Sequence, residues 1–465
     1  MNGFFLSQMC AMSNAVAMIE ASVLRRSTAL MVVLIVWNAA LVFGEVSDFS
    51  EKRQPTPPLK LRLSLREAMQ AAVQENPTVQ LFRERIVQAQ DVADTRLGAL
   101  LPNISGRMSG ARRRFFFGSF GGSPQVSRPL DFYEARVSLT QNLFSLSLIQ
   151  KWRAARMGVE VAELDAEVVK RDTMATVGLI YLESLRTREA VRAREADLQL
   201  DRELLRLAEE RKAAGMATSL DVTRARVQVE NARQQLLVAQ NDYDRARLNL
   251  LRTIGLPLDT KLVLTDELKL LPVTVQTPEK AIEVARAHRT ELHAQSRRER
   301  LAALTLSSVV SERIPSLQGA GDVGLIGNQI PDALTTDNVQ VLLSVPIFDG
   351  GQREGRISEN RSLVRQESLR TRDLEYQVSL EVRDALLTIE SAQEQVAVAM
   401  DGLKLAMTEL DLARERFIVG VATNIEVTNA QTSVAQARDN LIDALFNFNA
   451  ARVNLARAQG RLEDL

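Results

Sequence analysis

The sequence predicts a mainly α-helical protein with a small contribution from β-strands, built from two copies of one structural unit. Three observations predict this fold: a repeat at a spacing of 205 residues, two proline-free segments suited to very long helices, and two regions of alternating apolar and polar residues. The repeated pairs are Arg211 and Arg416, Gly215 and Gly420, Thr218 and Thr423, Asp221 and Glu426, Ala225 and Ala430, Ala232 and Ala437, Ala246 and Ala451, Leu250 and Leu455, and Gly255 and Gly460. A single long period indicates a duplicated unit rather than a solenoid.

The composition excludes several classes of function. Basic and acidic residues balance at 58 each, so no net charge favours a nucleic-acid partner. The single cysteine, Cys10, excludes a disulfide framework and a thiolate metal site. His288 and His293 lie five positions apart and do not share a helical face, so we interpret them as ordinary surface or interface residues. With no phosphate-binding glycine loop after a strand, we predict no enzyme, no cofactor and no metal site.

The first 44 residues have the features of an export signal. Arg25 and Arg26 precede an apolar run at 29–43, and Gly44 is a residue that a signal peptidase tolerates. A single transmembrane anchor is the alternative, but about 15 apolar residues are short for a membrane-spanning helix. Nothing later in the sequence resembles an apolar stretch of membrane-spanning length. If the mature protein enters a membrane, it must do so with strands.

The order of the patterns divides the chain into six segments. They are a signal peptide at 1–44, an N-terminal extension at 45–62, a first structural repeat at 63–255, a connecting segment at 256–280, a second repeat at 281–460 and a tail at 461–465. In each repeat we expect a helix, a β-hairpin and a long helical hairpin. The β-hairpins are predicted at 103–143 and 316–348, where one strand face is apolar and the other is polar.

Each repeat is predicted to begin with a helix that a proline ends. Ser64 and Glu67 have the spacing of a capping box at the start of the first helix. A break or kink is expected at Asn76-Pro77, and Pro102 and Pro315 stop the two helices. In the second repeat, one helical segment is expected from 281 to 313.

The strands are predicted to return into two very long helices. Residues 151–215 and 352–420 contain no proline and no cluster of turn residues, and 65 helical residues extend about 98 Å. Each helix turns at a glycine and returns as a second helix with a coiled-coil seam, in which alternate positions are alanine. This seam suits a curved wall of helices. A soluble coiled-coil structural protein is the alternative, but it explains neither the amphipathic hairpins nor the export signal.

These patterns resemble the TolC-type outer-membrane efflux proteins, also called outer membrane factors, from about Leu63 to Gly460. The resemblance is carried by Ala99-Leu100-Leu101-Pro102 before the first strand, by the segment LSVPIFDGG at 343–351, and by the paired turns at 211–222 and 416–427. It implies a homotrimer in which each chain gives four strands to a shared transmembrane β-barrel, while the long helices form a tunnel. Four strands alone would leave two unpaired edges in lipid, which agrees with a trimer.

The family resemblance also implies a location and partners. The expected location is the outer membrane of a Gram-negative-type bacterium, in contact with its lipid and extending into the periplasm. The implied function is that of a passive exit duct in a tripartite efflux system with a periplasmic adaptor protein and an inner-membrane pump. An exit duct for type I protein secretion or for heavy-metal efflux is the alternative, because the pump selects the cargo.

The resemblance places both the adaptor contact and the channel gate at the two helical turns. The candidate contact residues are Arg211, Gly215, Thr218, Asp221, Arg416, Gly420 and Thr423. Glycine favours the left-handed conformation at a helix end, and an acid in the first turn of the next helix favours the helix dipole. Either Thr218 and Thr423 or Ser219 and Asn424 can cap that next helix. Capping chemistry alone is therefore the alternative explanation of this motif.

Glu426 and Asn429 are the candidate gate residues. Glu426 matches an entrance acid of the family, while Asn429 stands where some relatives carry a second acid and Ala422 where some carry a locking arginine. Three copies of Glu426 would form a ring of charge at a narrow aperture. Arg211, Arg416 or Arg224 can pair with such an acid, and the sequence does not select among them.

Phe144 and Phe348 are predicted to end their strands at the boundary between the barrel and the helices. Aromatic residues at this position suit the interfacial girdle of an outer-membrane barrel. A core wedge at the strand-to-helix junction is the alternative role for both residues.

Overall fold

The computed structural model describes residues 60–116, 125–272, 276–419, 421 and 423–464. The predicted signal peptide, residues 45–59, Gly420 and Ala422 lie outside the described residues. The described chain contains eight α-helices, which are α1 (Leu65–Glu75), α2 (Pro77–Gly98), α3 (Leu146–Ala213), α4 (Ser219–Ile254), α5 (Pro278–His288), α6 (Thr290–Val310), α7 (Gln352–Ile418) and α8 (Asn424–Ala458). Its six strands are β1 (Lys60–Leu63), β2 (Asn103–Arg113), β3 (Leu130–Phe144), β4 (Lys261–Leu264), β5 (Ser316–Gly327) and β6 (Leu334–Ser344).

Two of the helices are as long as the sequence predicted. α3 has 68 residues and α7 has 67, so each extends about 100 Å. α3 begins at Leu146, earlier than the predicted start at 151, because the Ser145 side chain caps it by accepting a hydrogen bond from the Leu148 amide. Among the described residues, no helix has both the length and the apolar character needed to cross a membrane.

The long helices and the returning helices pack side by side. α3 packs against α4 in the first repeat, α8 packs against α7 in the second, and α3 also packs against α8. The order across this layer is therefore α4, α3, α8, α7, with α4 and α7 at its edges. The alanine seam is buried: Ala225, Ala232, Ala430, Ala444 and Ala451 are all at most 7% exposed. The predicted seam is thus the surface along which the returning helices pack.

Four strands form an antiparallel sheet in the order β2, β3, β5, β6. The β3–β5 pair joins the two repeats and places Val137 opposite Val323. Successive residues of a strand face opposite sides, so Glu134 and Arg136 on β3 share one face while Val137 lies on the other. Within the described residues, β2 and β6 are hydrogen-bonded on one side only, which leaves both edges of the sheet open.

The second β-hairpin is shorter than the predicted range of 316–348. β6 ends at Ser344, since Pro346 lacks an amide donor and cannot continue a strand ladder. The prediction that Phe348 ends a strand is therefore wrong: Phe348 lies in the connection to α7 and is 85% exposed. Phe144 is the last residue of β3, as expected.

A small parallel sheet, which was not predicted from the sequence, joins the two ends of the first repeat. β1 pairs with β4, and the buried Tyr181 hydroxyl on α3 donates a hydrogen bond to the Leu63 carbonyl oxygen at 2.9 Å. Asp266, just after β4, accepts a hydrogen bond from the Leu65 amide at 2.6 Å. These contacts fix the start of α1, where Ser64 and Glu67 form the predicted capping box.

The first helical segment of each repeat is interrupted at an equivalent residue. At the predicted break, Asn76 caps α2, and its side-chain amide donates to the Thr253 carbonyl oxygen at 2.6 Å. The single helical segment predicted from 281 to 313 is wrong, because it is broken at Arg289, 213 residues after Asn76. The Arg289 guanidinium is buried and pairs with Glu291 and with Glu381 on α7. Tertiary ion pairs thus fix the second break.

The returning helices end at glycines that touch these interruptions. Gly255 and Gly460 have φ values of +98° and +71°. A Cβ atom would lie 2.4 Å from the Glu75 carbonyl oxygen at Gly255, and 2.8 Å from the His288 carbonyl oxygen at Gly460. Only glycine permits both the left-handed backbone and this close approach.

Candidate functional site at the helical turns

The first turn connects α3 to α4 and is closed by a backbone hydrogen bond. Gly215 has a φ of +75°, and the Met216 amide donates to the Arg211 carbonyl oxygen at 2.8 Å. Thr218 and Asp221 form a capping box, in which the Thr218 amide donates to Asp221 Oδ2 at 2.9 Å. Hydrogen bonds from the Thr218 side chain and amide hold the pKa of the Asp221 carboxyl below its usual range. The carboxylate of this acid therefore serves the cap of its own helix.

The second turn is closed by an equivalent backbone hydrogen bond, but its acid, Glu426, has a different partner. The Val421 amide donates to the Arg416 carbonyl oxygen at 2.9 Å, which matches the first turn. Thr423 is the N-cap residue of α8, but its side chain makes no capping hydrogen bond. Glu426 instead places Oε1 at 3.2 Å from Arg416 Nη1. The structure thus brings Arg416, among the three candidate arginines, to the candidate gate acid.

The Arg416–Glu426 ion pair is exposed. The two side chains are 56% and 39% exposed, respectively. An ion pair in contact with water contributes about 0.5 kcal/mol. The second turn therefore holds its acid by a weak and reversible contact, whereas the first turn holds Asp221 by the cap of α4.

Arg211 connects the first turn to the second helical hairpin. Its guanidinium donates to the Phe417 carbonyl oxygen and lies 4.4 Å from the centre of the Phe417 ring. Phe417 is buried at the end of α7, in a cluster with Val427 and Ala430 of α8. Phe417 was not among the predicted site residues, although it follows Ala406, Leu410 and Ala413 at the four-and-three spacing of a buried seam.

The remaining candidate residues are Asn429, Arg224, Gly420, Phe144 and Phe348. Asn429 is exposed on α8, one turn after Glu426. Arg224 is exposed on α4, where its charge helps to lower the pKa of Asp221. Gly420 lies outside the described residues. Phe144 and Phe348 lie at the other end of the long helices, beside the start of α3 and of α7.

A partly buried ionic seam, which was not predicted from the sequence, lies between α3 and α8 above the turns. Asp197 accepts a hydrogen bond from Arg438 at 2.7 Å, and Asp201 accepts one from the Gln431 side chain at 2.9 Å. Arg194 pairs with Asp439. Burial raises the pKa of Asp201 to about 6, against the opposing effect of the Gln431 hydrogen bond, and the nearby charge of Asp197 adds to the rise.

The comparison with protein families identifies the chain. The family model described as outer membrane efflux protein matches residues 68–256 and 281–461. The chain belongs to the outer membrane efflux protein family. The two matched ranges each contain one helical turn of the candidate site, so both turns are part of the family fold.

Curated relatives and solved structures agree with this family. The pyoverdine export outer membrane protein OpmQ of Pseudomonas aeruginosa is 25% identical over 397 residues, which cover 81% of this chain and 80% of that protein. The outer membrane protein TolC of Escherichia coli is 22% identical, over 71% of this chain and 70% of TolC. The CmeC outer membrane channel of Campylobacter jejuni has a TM-score of 0.76 at 15% identity, over 89% of this chain and 91% of CmeC.

The general function of the chain follows from its membership of this family. It is an outer-membrane efflux protein of the Gram-negative type that acts as an exit duct, and it is not an enzyme. Members of the family form trimers and act with an adaptor and an inner-membrane pump. The alternative of a soluble coiled-coil structural protein is therefore wrong, although the long helices suggested it.

Proposed function

We propose that three copies of this chain form one efflux duct, in which the two helical turns make the periplasmic end and Glu426 lines its aperture. The observation that carries this proposal is the different use of two equivalent acids. Asp221 is committed to the cap of α4, whereas Glu426 extends to Arg416 at the surface. An exposed acid held by one weak ion pair suits a gate, because little free energy is needed to release it.

The sheet supports the membrane part of the proposal. β2 and β6 have open edges, and three copies of the sheet would pair these edges and close a barrel of twelve strands. Large apolar side chains on one face of β2 and β6 are strongly exposed in a single chain, and Ile104, Met108 and Val339 are at least 73% exposed. We propose that this face contacts the outer-membrane lipid, with Phe144 and Phe348 at its periplasmic border.

The turns support the adaptor contact. Arg211 fixes the first turn to the end of α7 through Phe417, and the capping box fixes Thr218 and Asp221. The first turn is therefore a preorganised surface, which a partner can bind without ordering it first. We propose that an adaptor contacts Arg211, Gly215, Thr218 and Asp221 in the first turn, and Arg416, Gly420 and Thr423 in the second.

The names of the curated relatives point to two of the cargo classes considered above. Efflux of small molecules fits relatives such as the pyoverdine export protein OpmQ. Type I protein secretion is the second candidate, since the alkaline protease secretion protein AprF of Pseudomonas aeruginosa is 22% identical over 74% of this chain. We propose small-molecule efflux as the function, with the pump selecting the cargo.

The experiment is a conductance measurement on purified mature protein in a planar bilayer. Glu426→Gln removes the proposed ring of charge without changing the size of the side chain, and Asp221→Asn is the matched control in the other turn. We expect Glu426→Gln to reduce the permeability ratio of cations to anions, and Asp221→Asn to leave that ratio unchanged. Equal ratios in wild type and Glu426→Gln would exclude Glu426 from the aperture.

A further inference from the structure

Four helices lie side by side in a second layer near the antiparallel sheet. α2 packs on α3, α3 packs on α6, and α6 packs on α7, so the order across this layer is α2, α3, α6, α7. A single cavity of about 710 Å³ is lined by residues of all four helices. One cavity can touch four neighbouring helices only where the layer is concave. The layer is therefore curved, and the cavity lies on its concave face.

The cavity lies at the end of the helices that meets the strands. Lys151 is close to the start of α3, Arg356 is close to the start of α7, and Arg96 is close to the end of α2. The helical turns are about 90 Å away, since 60 residues of α7 separate Arg356 from Arg416. This distance far exceeds the Debye length of about 8 Å, so the charges of the cavity and those of the turns act independently.

The lining of the cavity is basic. Among the described residues, its charged side chains are four cations and one acid, namely Arg85, Arg96, Lys151, Arg356 and Glu312. Three other grooves between the helices are lined by more acids than cations, and the whole chain has 58 charged residues of each sign. The positive excess is therefore a local feature of this cavity.

Glu312 shows how the cavity holds a carboxylate. Its Oε1 lies 3.3 Å from Lys151 Nζ, and its Oε2 lies 2.8 Å from Arg356 Nη2. One carboxylate thus bridges a cation of α3 and a cation of α7. The cavity therefore already contains one carboxylate site, which this side chain of the chain itself fills.

The two arginines of α2 are available to a further anion. Arg85 and Arg96 are exposed, and their spacing of eleven positions, about three helical turns, places them on one face of α2. Neither forms an ion pair within the described part of the chain, and the Arg85 guanidinium lies 4.4 Å from the centre of the Phe82 ring on its own helix. A guanidinium binds a carboxylate through two parallel hydrogen bonds. These two side chains thus provide donors for carboxylates from outside the chain.

We propose that this cavity binds small molecules with two or more carboxylates as they pass along the duct. The inference rests on the proposed function and deepens it by naming a class of cargo. Three curved layers that close a tunnel place their concave faces towards its lumen, so the positive charges of three cavities add there. Binding by exposed arginines in a water-filled duct is weak, which permits release as well as entry.

Calorimetric titration of citrate into the detergent-solubilised trimer, at low ionic strength, tests the site. Citrate carries three carboxylates, and glucose is an uncharged control of similar size. Arg85→Gln with Arg96→Gln should weaken citrate binding about tenfold, because charge-assisted hydrogen bonds are lost. Glu312→Gln should strengthen it several-fold, because this change removes the acid of the described lining and releases Lys151 and Arg356. Effects of opposite sign at one cavity distinguish a binding site from a general disturbance of the fold.

Arg153→Gln with Arg156→Gln is the matched control variant. It removes the same number of charges near the same end of the helices. Arg153 lies two positions after Lys151, about 200° around α3, and so points away from the cavity. Arg156 lines a different groove, between α2 and α3. This variant should bind citrate as wild type does, and equal weakening by both double variants would overturn the inference.

Conductance in a planar bilayer separates this inference from the proposed function. If wild type conducts but citrate neither binds nor reduces the current, the inference is wrong and the proposed duct stands. If citrate binds through Arg85 and Arg96 but wild type does not conduct, the binding site stands and the proposed duct is contradicted. Loss of the trimer in Arg85→Gln with Arg96→Gln would show that these arginines join the copies, and would also overturn the inference.

Discussion

Gly255 is the residue at which a single methyl group is expected to do the most damage to the helical layer. Gly255→Ala places a Cβ atom 2.4 Å from the Glu75 carbonyl oxygen and 2.8 Å from its carbonyl carbon, and both atoms belong to the backbone at the end of α1. Neither can rotate away as a side chain would. The helix end or the α1–α2 junction must therefore shift as a unit.

The size of the effect follows from two separate costs. An L-residue in the left-handed conformation costs about 1 kcal/mol, which applies at the φ of +98° found for Gly255. Displacing the packed backbone adds about 2 kcal/mol, as overpacking of a core does. Leu250, Leu251 and Ile254, at most 1% exposed, lie on the same helix end and would move with it. We expect a loss of about 3 kcal/mol in the free energy of unfolding.

Gly215→Ala separates the two costs. Gly215 also has a positive φ, +75°, but a Cβ atom there meets no other atom within 4 Å. It should lose only the conformational part, about 1 kcal/mol. Gly460→Ala should resemble Gly255→Ala, because its Cβ atom would lie 2.8 Å from the His288 carbonyl oxygen.

The assay is unfolding of the purified variants in detergent, followed by circular dichroism of the helices. The expected order of stability is wild type, Gly215→Ala, then Gly255→Ala and Gly460→Ala together. Equal losses at Gly215 and Gly255 would refute the reasoning, because they would show that the close approach to Glu75 has no energetic effect.

Two further predictions concern the turns and the ionic seam. Thr218→Ala should destabilise the start of α4 by about 1 kcal/mol, whereas Thr423→Ala should destabilise the start of α8 by only about 0.3 kcal/mol, because only Thr218 of the two makes a side-chain cap. Amide hydrogen exchange in the first turns of α4 and α8 measures both effects. Equal effects at the two helices would contradict this prediction. The pKa of Asp201 is raised to about 6 in the folded chain, above its unfolded value, so its contribution to stability is present below about pH 4 and is lost as the pH rises through 6. Asp201→Asn should therefore be more stable than wild type at pH 7.5, by on the order of 1 kcal/mol after allowing for partial exposure, and equal to it at pH 3. Chemical unfolding at both pH values measures the stability of each variant, and Asp384→Asn, at an exposed position, is the control. A difference in stability between Asp201→Asn and wild type that does not change with pH would contradict the prediction.

Features with local sequence signals could be predicted. The capping box of Ser64 and Glu67, the break at Asn76 and the start of α4 at Thr218 depend on residues within one helical turn of each other. The long helices were predictable because proline and turn residues are absent over their whole length. Such signals are visible in a single sequence because both partners are close along the chain.

Features that depend on distant partners could not be predicted. The break at Arg289 requires Glu381, which lies 92 residues away, and no proline marks it. The contact of Arg211 with Phe417 spans 206 residues. The choice of Arg416 as the partner of Glu426 depends on how the second turn closes, and the three candidate arginines have the same chemistry. The tertiary fold selects one of them.

The connections between paired strands show where this duplicated protein has changed in length. The two copies are offset by 213 residues at Pro102 and Pro315 but by 204 at Phe144 and Phe348, so the difference arose within the hairpins. The connection from β2 to β3 spans 114–129, and that from β5 to β6 spans 328–333. From Phe144 to Gly255 and from Phe348 to Gly460 the lengths agree to within one residue. Descent from one ancestral unit has thus left the hairpin tips free to gain or lose residues, while each helix has kept its length because its two ends are anchored in different places.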